Sequence, residues 1–205
     1  MGDTSDLKIV LSYRRDDSAD VSGRIFDRLV KHFGDDRMFI DIDNIPLGTD
    51  FHDHLGHTLE NCGALLAVIG KAWSGPRRGR SARIMDEDDW VRLEVEAALA
   101  RQVPVIPILV GNAELPAREQ LPASLIPLRR RQSLSVDSGV DFHQHMNRLI
   151  AALERLLDQQ RQARAPEPVR SAPSEPVPRP GIPPLSRPQR WSTAPSRSSA
   201  TCRAA

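Results

Sequence analysis

The sequence predicts an α/β domain in which a five-stranded parallel sheet carries helices on both faces. Short apolar runs alternate along the chain with longer stretches whose apolar residues repeat every three or four positions. Buried parallel strands are typically continuous apolar runs, and amphipathic helices give such repeats, so the alternation favours a parallel sheet. The expected strand order is 2-1-3-4-5. The pattern stops after residue 161, where we expect the domain to end.

The N-terminal part of the domain predicts two strands and one helix. Lys8–Ser12 is a short apolar, β-branched run and is predicted to be the buried first strand. The polar segment Tyr13–Ser18 is predicted to be a loop. Ala19–Phe33 repeats apolar residues every four positions, which is typical of one face of a helix. Gly34 is expected to end this helix, and Arg37–Asp41 is the predicted second strand.

The middle of the chain predicts a loop, a helix, a third strand and a second, longer loop. Residues 41–50 form the first loop, and Asp50 is a suitable N-cap for a helix over Phe51–Asn61. The apolar run Ala64–Ile69 is the predicted third strand. The very polar segment Lys71–Asp88 is predicted to be a long, mobile loop, a type of segment that often carries function.

The last part of the domain predicts two helices and two strands around an irregular connection. The predicted order is a helix over Asp89–Arg101, a strand over Val103–Val110, an irregular stretch over 111–131 with a short helical piece at Ala117–Gln120, a weak strand over Gln132–Val136 and a helix over Phe142–Arg161.

The two ends of the chain are predicted to be disordered. Residues 1–6 are polar and lack the basic and apolar regions of a signal peptide. Residues 162–205 hold ten of the 17 prolines and few apolar residues, so they cannot bury a core. Two cysteines give no disulfide framework, and no apolar run approaches the ~20 residues of a membrane span. We therefore expect a cytoplasmic protein with no membrane span in this chain.

Charge argues against a nucleic-acid partner. Residues 1–161 carry 21 Lys and Arg against 25 Asp and Glu, whereas residues 162–205 carry seven Arg against two Glu. Contacts to phosphate backbones need a basic face, and the folded part of this chain is mildly acidic.

The predicted topology brings one helix start to the edge where ligands bind. Ligands of such sheets bind at the carboxyl ends of the strands, where strand order reverses, here between the first and third strands. Trp90 and Glu94 lie four residues apart on one helix face that opens onto this edge. The pair suits a flat, positively charged heterocycle. Alternatively, Trp90 anchors the helix and Glu94 is its solvated neighbour.

Other polar groups near this edge also leave two interpretations open. Arg14 and Arg15 follow the first strand, where they either hold phosphates or pair on the surface with Asp16 and Asp17. The loop over 41–48 is either a recognition loop or a plain connection.

A histidine cluster is the one candidate metal site in the sequence. It comprises His52, Asp53, His54 and His57. Only residues three or four positions apart share a helix face, and no second ligand group is evident, so a solvated helix face is favoured and no metal is expected.

Four segments in order resemble the signature boxes of TIR (Toll/interleukin-1 receptor) domains of the bacterial type. Ile9–Arg15 resembles the first box. Phe39–Asp41 followed by Ile45–Gly48 resembles the second box with its BB loop. Asp89–Glu94 resembles the Trp-x-x-x-Glu motif of TIR domains that cleave NAD, and Val103–Ile108 resembles the buried strand that follows. The resemblance spans about residues 7–157 and leaves out the tail.

The resemblance implies a flavodoxin-like TIR fold over residues 7–161 and a catalytic glutamate at Glu94. It implies that Trp90 stacks on the nicotinamide, that Tyr13 contacts the substrate, and that Arg14 and Arg15 are free to meet its pyrophosphate. NAD is then the substrate, and no cofactor is expected.

The resemblance also implies that a BB loop contacts other TIR domains, of the same or another chain. Its residues here are Asp43, Ile45, Pro46, Leu47 and Gly48. Two functions are therefore expected: an NAD glycohydrolase in signalling or defence or, alternatively, a non-enzymatic module that acts by homotypic assembly.

Overall fold

Five parallel strands form one sheet in the order β2-β1-β3-β4-β5, as the sequence predicts. The structure is a computed structural model that describes residues 7–40, 58–76 and 81–164. The strands are β1 Lys8–Ser12, β2 Met38–Ile40, β3 Cys62–Ile69, β4 Val105–Val110 and β5 Leu134–Val136. The helices are α1 Arg15–Phe33, α2 Trp90–Ala100 and α3 Phe142–Arg164.

Alternate residues of the central strands enter two separate hydrophobic cores. On one face, Ile9 and Leu11 of β1 pack with α1 and α3. On the other face, Val10 of β1 and Ile69 of β3 pack with α2. Since successive side chains of a strand point to opposite faces, a strand that is apolar at every position supplies both cores. All eight residues of β3 are buried, which makes it the centre of the sheet.

Helix α1 begins earlier than the sequence predicts. The prediction of a loop over Tyr13–Ser18 with a helix from Ala19 is wrong at its end, because α1 starts at Arg15. Ser18 has φ −144° and ψ 22°, so the helix is kinked there and a short first turn precedes the long regular part. The helix ends where predicted, at Gly34, whose φ of +95° suits glycine.

The described parts of the connection between β3 and α2 are more ordered than a mobile loop. Trp73 and Ile84 are both fully buried in the core that packs against α2, although polar residues surround them in the sequence. A 3-10 turn forms at Arg83–Met85. The described parts of this segment are thus fixed to the domain by apolar anchors.

Several smaller boundaries also differ from the prediction. The strands β2, β4 and β5 begin one or two residues late, and α3 extends to Arg164 rather than Arg161. The predicted helical piece near Ala117–Gln120 is a 3-10 turn at Arg118–Gln120. A second 3-10 helix over Ala123–Arg130 was not predicted, and Leu125 and Leu128 bury its inner face.

Some predictions lie on residues outside the described ranges. They concern the loop over 41–50, most of the helix over Phe51–Asn61, of which Thr58–Glu60 is described as helical, and the two chain ends 1–6 and 165–205. Among the residues that the structure describes, no helix combines the length and apolar character that a membrane span needs.

Candidate functional site

A cleft opens at the reversal of strand order, where β1 ends and α2 begins. Its volume is about 210 Å³. The residues that line it come from the end of β1, the start of α1, the β3–α2 connection and α2; they are Tyr13, Arg14, Arg15, Asp16, Arg83, Trp90, Val91 and Glu94. The structure therefore brings together the five predicted site residues Tyr13, Arg14, Arg15, Trp90 and Glu94.

Helix α2 presents Trp90 and Glu94 in opposite environments. Asp89 is its N-cap, and the carboxylate accepts a hydrogen bond from the backbone N–H of Arg92 at 3.1 Å. Trp90 is 48% exposed, whereas Glu94 is only 5% exposed. The interpretation of an anchoring tryptophan beside a solvated glutamate is therefore wrong, because the aromatic ring faces the cleft and the carboxylate faces inward.

Arg14 is held by protein atoms at the rear of the cleft. Its Nη2 donates to both carboxylate oxygens of Asp89, each at 2.9 Å, and its Nε donates to the carbonyl oxygen of Trp73 at 2.6 Å. Its side chain is 6% exposed and that of Asp89 is 5% exposed. Arg14 thus differs from the expected guanidinium that is free to meet a pyrophosphate, and its partner is Asp89 rather than a neighbour in sequence.

The first turn of α1 ties the end of β3 to the same site. The Asp17 carboxylate accepts hydrogen bonds from the backbone N–H groups of Gly70 at 2.8 Å and Ala72 at 2.7 Å. A Cβ atom at Gly70 would lie 2.5–2.7 Å from this carboxylate, so the close approach requires glycine. Asp16 pairs with Arg83 at 2.6 Å across the cleft mouth, while Arg15 is exposed.

Arg92 and Glu96 form an i,i+4 pair on α2 that lies away from the cleft. Arg92 Nε donates to Glu96 Oε1 at 2.6 Å, and the Ser124 hydroxyl donates to the same oxygen. Glu96 does not line the cleft, so it offers a chemical match for Glu94 on the same helix.

Sequence reasoning missed the roles of Asp89, Asp17 and Trp73. Asp89 was assigned to the helix only as its first residue, although an aspartate before an apolar repeat is a typical N-cap signal. Trp73 stands alone in a polar segment, and a large aromatic residue in such a place is a usable sign of an anchor. No local pattern indicates that Arg14 pairs with Asp89, because the two residues are 75 positions apart.

Two groups of predicted functional residues lie outside the residues that the structure describes. The BB-loop residues Asp43, Ile45, Pro46, Leu47 and Gly48 lie outside the described residues, as do His52, Asp53, His54 and His57. Within residues 7–40, 58–76 and 81–164, no group of three or more His, Cys, Asp or Glu side chains is arranged to hold a metal ion.

A solved structure and a family model both match this chain. Among solved structures, the chain is similar to the TIR domains in a structure described as the activated Roq1 resistosome directly recognizing the pathogen effector XopQ. The identity is 12% and the TM-score 0.39, over 76% of this chain and 84% of that one. No curated protein matches the chain. The family model of the TIR domain matches residues 9–157, more than half of the sequence, and the chain therefore belongs to the TIR domain family.

Proposed function

We propose that this protein cleaves the bond between nicotinamide and ribose in NAD and acts in signalling or defence. The products are nicotinamide and either ADP-ribose or a cyclic isomer. TIR domains include enzymes that cleave NAD. The observation that carries the proposal is the arrangement of α2, in which a buried carboxylate and a half-exposed indole line one cleft.

The leaving group explains why a single carboxylate is sufficient. The nicotinamide of NAD is already a cation, so it takes the electron pair of the breaking C–N bond and departs neutral without a general acid. Glycosidases usually need a second carboxylic acid to protonate their leaving oxygen. Glu94 would stabilise the positive charge that develops on the ribose, and its low exposure makes this electrostatic effect stronger than in water.

Trp90 supplies a surface for the cationic ring. The face of a tryptophan attracts a cation electrostatically, and a half-exposed indole remains accessible to a ligand. The acidic run Asp86–Asp89 lines a neighbouring cleft of about 620 Å³, which shares Arg14, Arg83 and Trp90 with the first. The two adjoining spaces provide room for a substrate larger than the first cleft alone would hold.

The decisive experiment compares two glutamates of α2 in the full-length protein. Glu94→Gln removes the proposed catalytic carboxylate, and Glu96→Gln removes a chemically identical group that does not line the cleft. Incubation with NAD at high protein concentration, with nicotinamide release measured by chromatography, should give a loss of roughly 10²–10³-fold for Glu94→Gln. Glu96→Gln should retain the wild-type rate. Equal rates for wild type and Glu94→Gln would overturn the proposal.

The second candidate is a non-enzymatic module that assembles with other TIR domains. TIR domains assemble with one another, and the exposed apolar side chains Met85 and Trp90 flank an acidic run on one surface. Under this function NAD stays intact in the same experiment, while light scattering detects concentration-dependent assembly in both variants. The two functions are compatible, because assembly can complete a catalytic site.

A further inference from the structure

We propose that Arg14 is a positioning residue, which acts through Asp89 to set the place of Glu94 in the cleft. The inference rests on the proposed function and refines it. It assigns to Arg14 a different role from the contact with the substrate pyrophosphate that its position after β1 suggests. The pair joins β1 to α2, two elements that are far apart in sequence.

The first link joins Arg14 to two other parts of the domain at once. The guanidinium uses Nη2 for both oxygens of Asp89 and Nε for the carbonyl of Trp73. Trp73 is itself fully buried. A planar guanidinium has donors in a fixed fork and can meet two acceptors in different directions, which a single ammonium group cannot do with the same geometry.

The second link joins Asp89 to the helix. Asp89 Oδ1 accepts the backbone N–H of Arg92, and the Asp89 carbonyl accepts that of Leu93 at 3.0 Å. The first turn of α2 is therefore fixed to the residue that Arg14 holds. Glu94 follows on the next turn of the same rigid helix, so a shift of Asp89 moves the carboxylate with it.

Arg14 has little of its charge available for a substrate. Both charges of the pair are buried, and each is the main compensation for the other. The bonds to Trp73 and Asp89 use Nε and Nη2, so a diphosphate could approach only Nη1 of a side chain that is 6% exposed and whose charge Asp89 already balances. Arg15 lines the same cleft, carries the same charge and is exposed, so it is the better placed of the two arginines to meet a phosphate.

Steady-state kinetics of the full-length protein separate the two roles. Loss of a substrate contact that is equal in ground and transition states raises KM, whereas misplacement of a catalytic group lowers kcat. For Arg14→Lys and for Asp89→Asn we expect kcat for NAD to fall roughly 10–100-fold, with KM within about twofold of wild type. Asp89→Asn keeps an N-cap acceptor, so it removes the charge pair more selectively than the cap.

Two further variants complete the design. The neutral double variant Arg14→Gln/Asp89→Asn leaves no unpaired buried charge, so we expect it to fold where a single change does not. Its kcat should be no lower than that of either single variant. Arg28→Lys is the control, since Arg28 lies on α1 and pairs with Asn147 outside the cleft. Its kinetics should match those of wild type.

The outcomes that overturn the inference are specific. A raised KM with unchanged kcat in Arg14→Lys would make Arg14 a substrate ligand, and full activity of Asp89→Asn would remove the link through Asp89. Hydrogen exchange tests the same link without NAD. In Arg14→Lys and in Asp89→Asn, the amides of Arg92 and Leu93 should exchange faster than in wild type, while the amides of β3 stay protected. Unchanged exchange at Arg92 and Leu93 overturns the inference. Failure of wild type to cleave NAD refutes the proposed function instead.

Discussion

Trp73 and Trp90 show how little the residue type alone says about its role. Trp73 is fully buried in the core that packs against α2, although it lies in a polar stretch, whereas Trp90 is half exposed at the start of α2. The anchor that the sequence suggests at Trp90 is thus supplied by Trp73. Trp90 is left with a face that a ligand can reach.

Alanine at Trp73 and alanine at Trp90 should lower the stability of the domain to very different extents. Trp73→Ala removes a fully buried indole, and we expect a loss of about 3–5 kcal/mol in the free energy of unfolding. Trp90→Ala should cost clearly less, about 1 kcal/mol, because half of its side chain is already in water. Urea denaturation measures both.

The same pair separates stability from activity. If Trp90 stacks on nicotinamide, Trp90→Ala should raise KM for NAD about tenfold while the urea midpoint falls much less than in Trp73→Ala. A large loss of stability in Trp90→Ala, or none in Trp73→Ala, would contradict the assignment of anchor and platform.

At the scale of elements, the site depends on two tethers of the β3–α2 connection to the start of α1. Asp17 holds Gly70 and Ala72 by their N–H groups, and Arg14 holds the Trp73 carbonyl. The kink at Ser18 separates this first turn from the regular part of α1. The position of this first turn is thus set by its hydrogen bonds to the β3–α2 connection rather than by continuation of the long helix.

Glycine-to-alanine changes test the first tether. Gly70→Ala would bring a Cβ to 2.5–2.7 Å from the Asp17 carboxylate, so the carboxylate must move and lose its bonds to two N–H groups. Charge-assisted hydrogen bonds of this kind imply a loss of about 2 kcal/mol in unfolding free energy. Thermal and urea denaturation should both detect it.

Gly23→Ala is the matched control for that change. Gly23 lies inside α1, and a Cβ there meets nothing within 4 Å. Alanine favours the helix and restricts the unfolded chain, so we expect a gain of about 0.5–1 kcal/mol. Gly70→Ala as stable as wild type would mean that the Asp17 tether contributes little.

The central strands of this fold can be predicted from the sequence, whereas the kink in α1 and the contacts between distant elements cannot. The apolar runs of β1 and β3 predict that both strands lie inside the sheet, because a strand buried on both faces has a distinctive composition. The Ser18 kink and the Arg14–Asp89 pair depend on segments that meet only after folding, and no local periodicity encodes them. The 3-10 helix over Ala123–Arg130 escapes prediction because its internal Pro127 argues against a helix.

On the scale of the whole molecule, stability rests on the two cores that β3 separates. The core that packs against α2 contains an ionisable group, the thiol of Cys62. Cys62 is the first residue of β3 and is buried, and its thiol donates to the carbonyl of Ala64 at 3.2 Å. Burial raises the pKa of Cys62 from 9.0 to about 12, because a thiolate would lose its hydration. Global unfolding is therefore linked to pH in the alkaline range.

The direction of this linkage follows from the protons bound. Between pH 9 and 12 the unfolded chain has released the Cys62 proton that the folded protein still holds, so the stability present below pH 9 is lost as pH rises through this window. At pH 10, one unit above the pKa of 9.0 in the unfolded chain, the loss in unfolding free energy should be about 1.4 kcal/mol.

Urea denaturation at pH 8 and pH 10 measures this loss. With Cys202→Ser as the background, the protein should show the extra loss relative to the same protein with Cys62→Ala. The cavity left by alanine costs the same at both pH values and cancels from the comparison. Parallel pH dependence of the two proteins would mean that the Cys62 thiolate is tolerated inside the sheet.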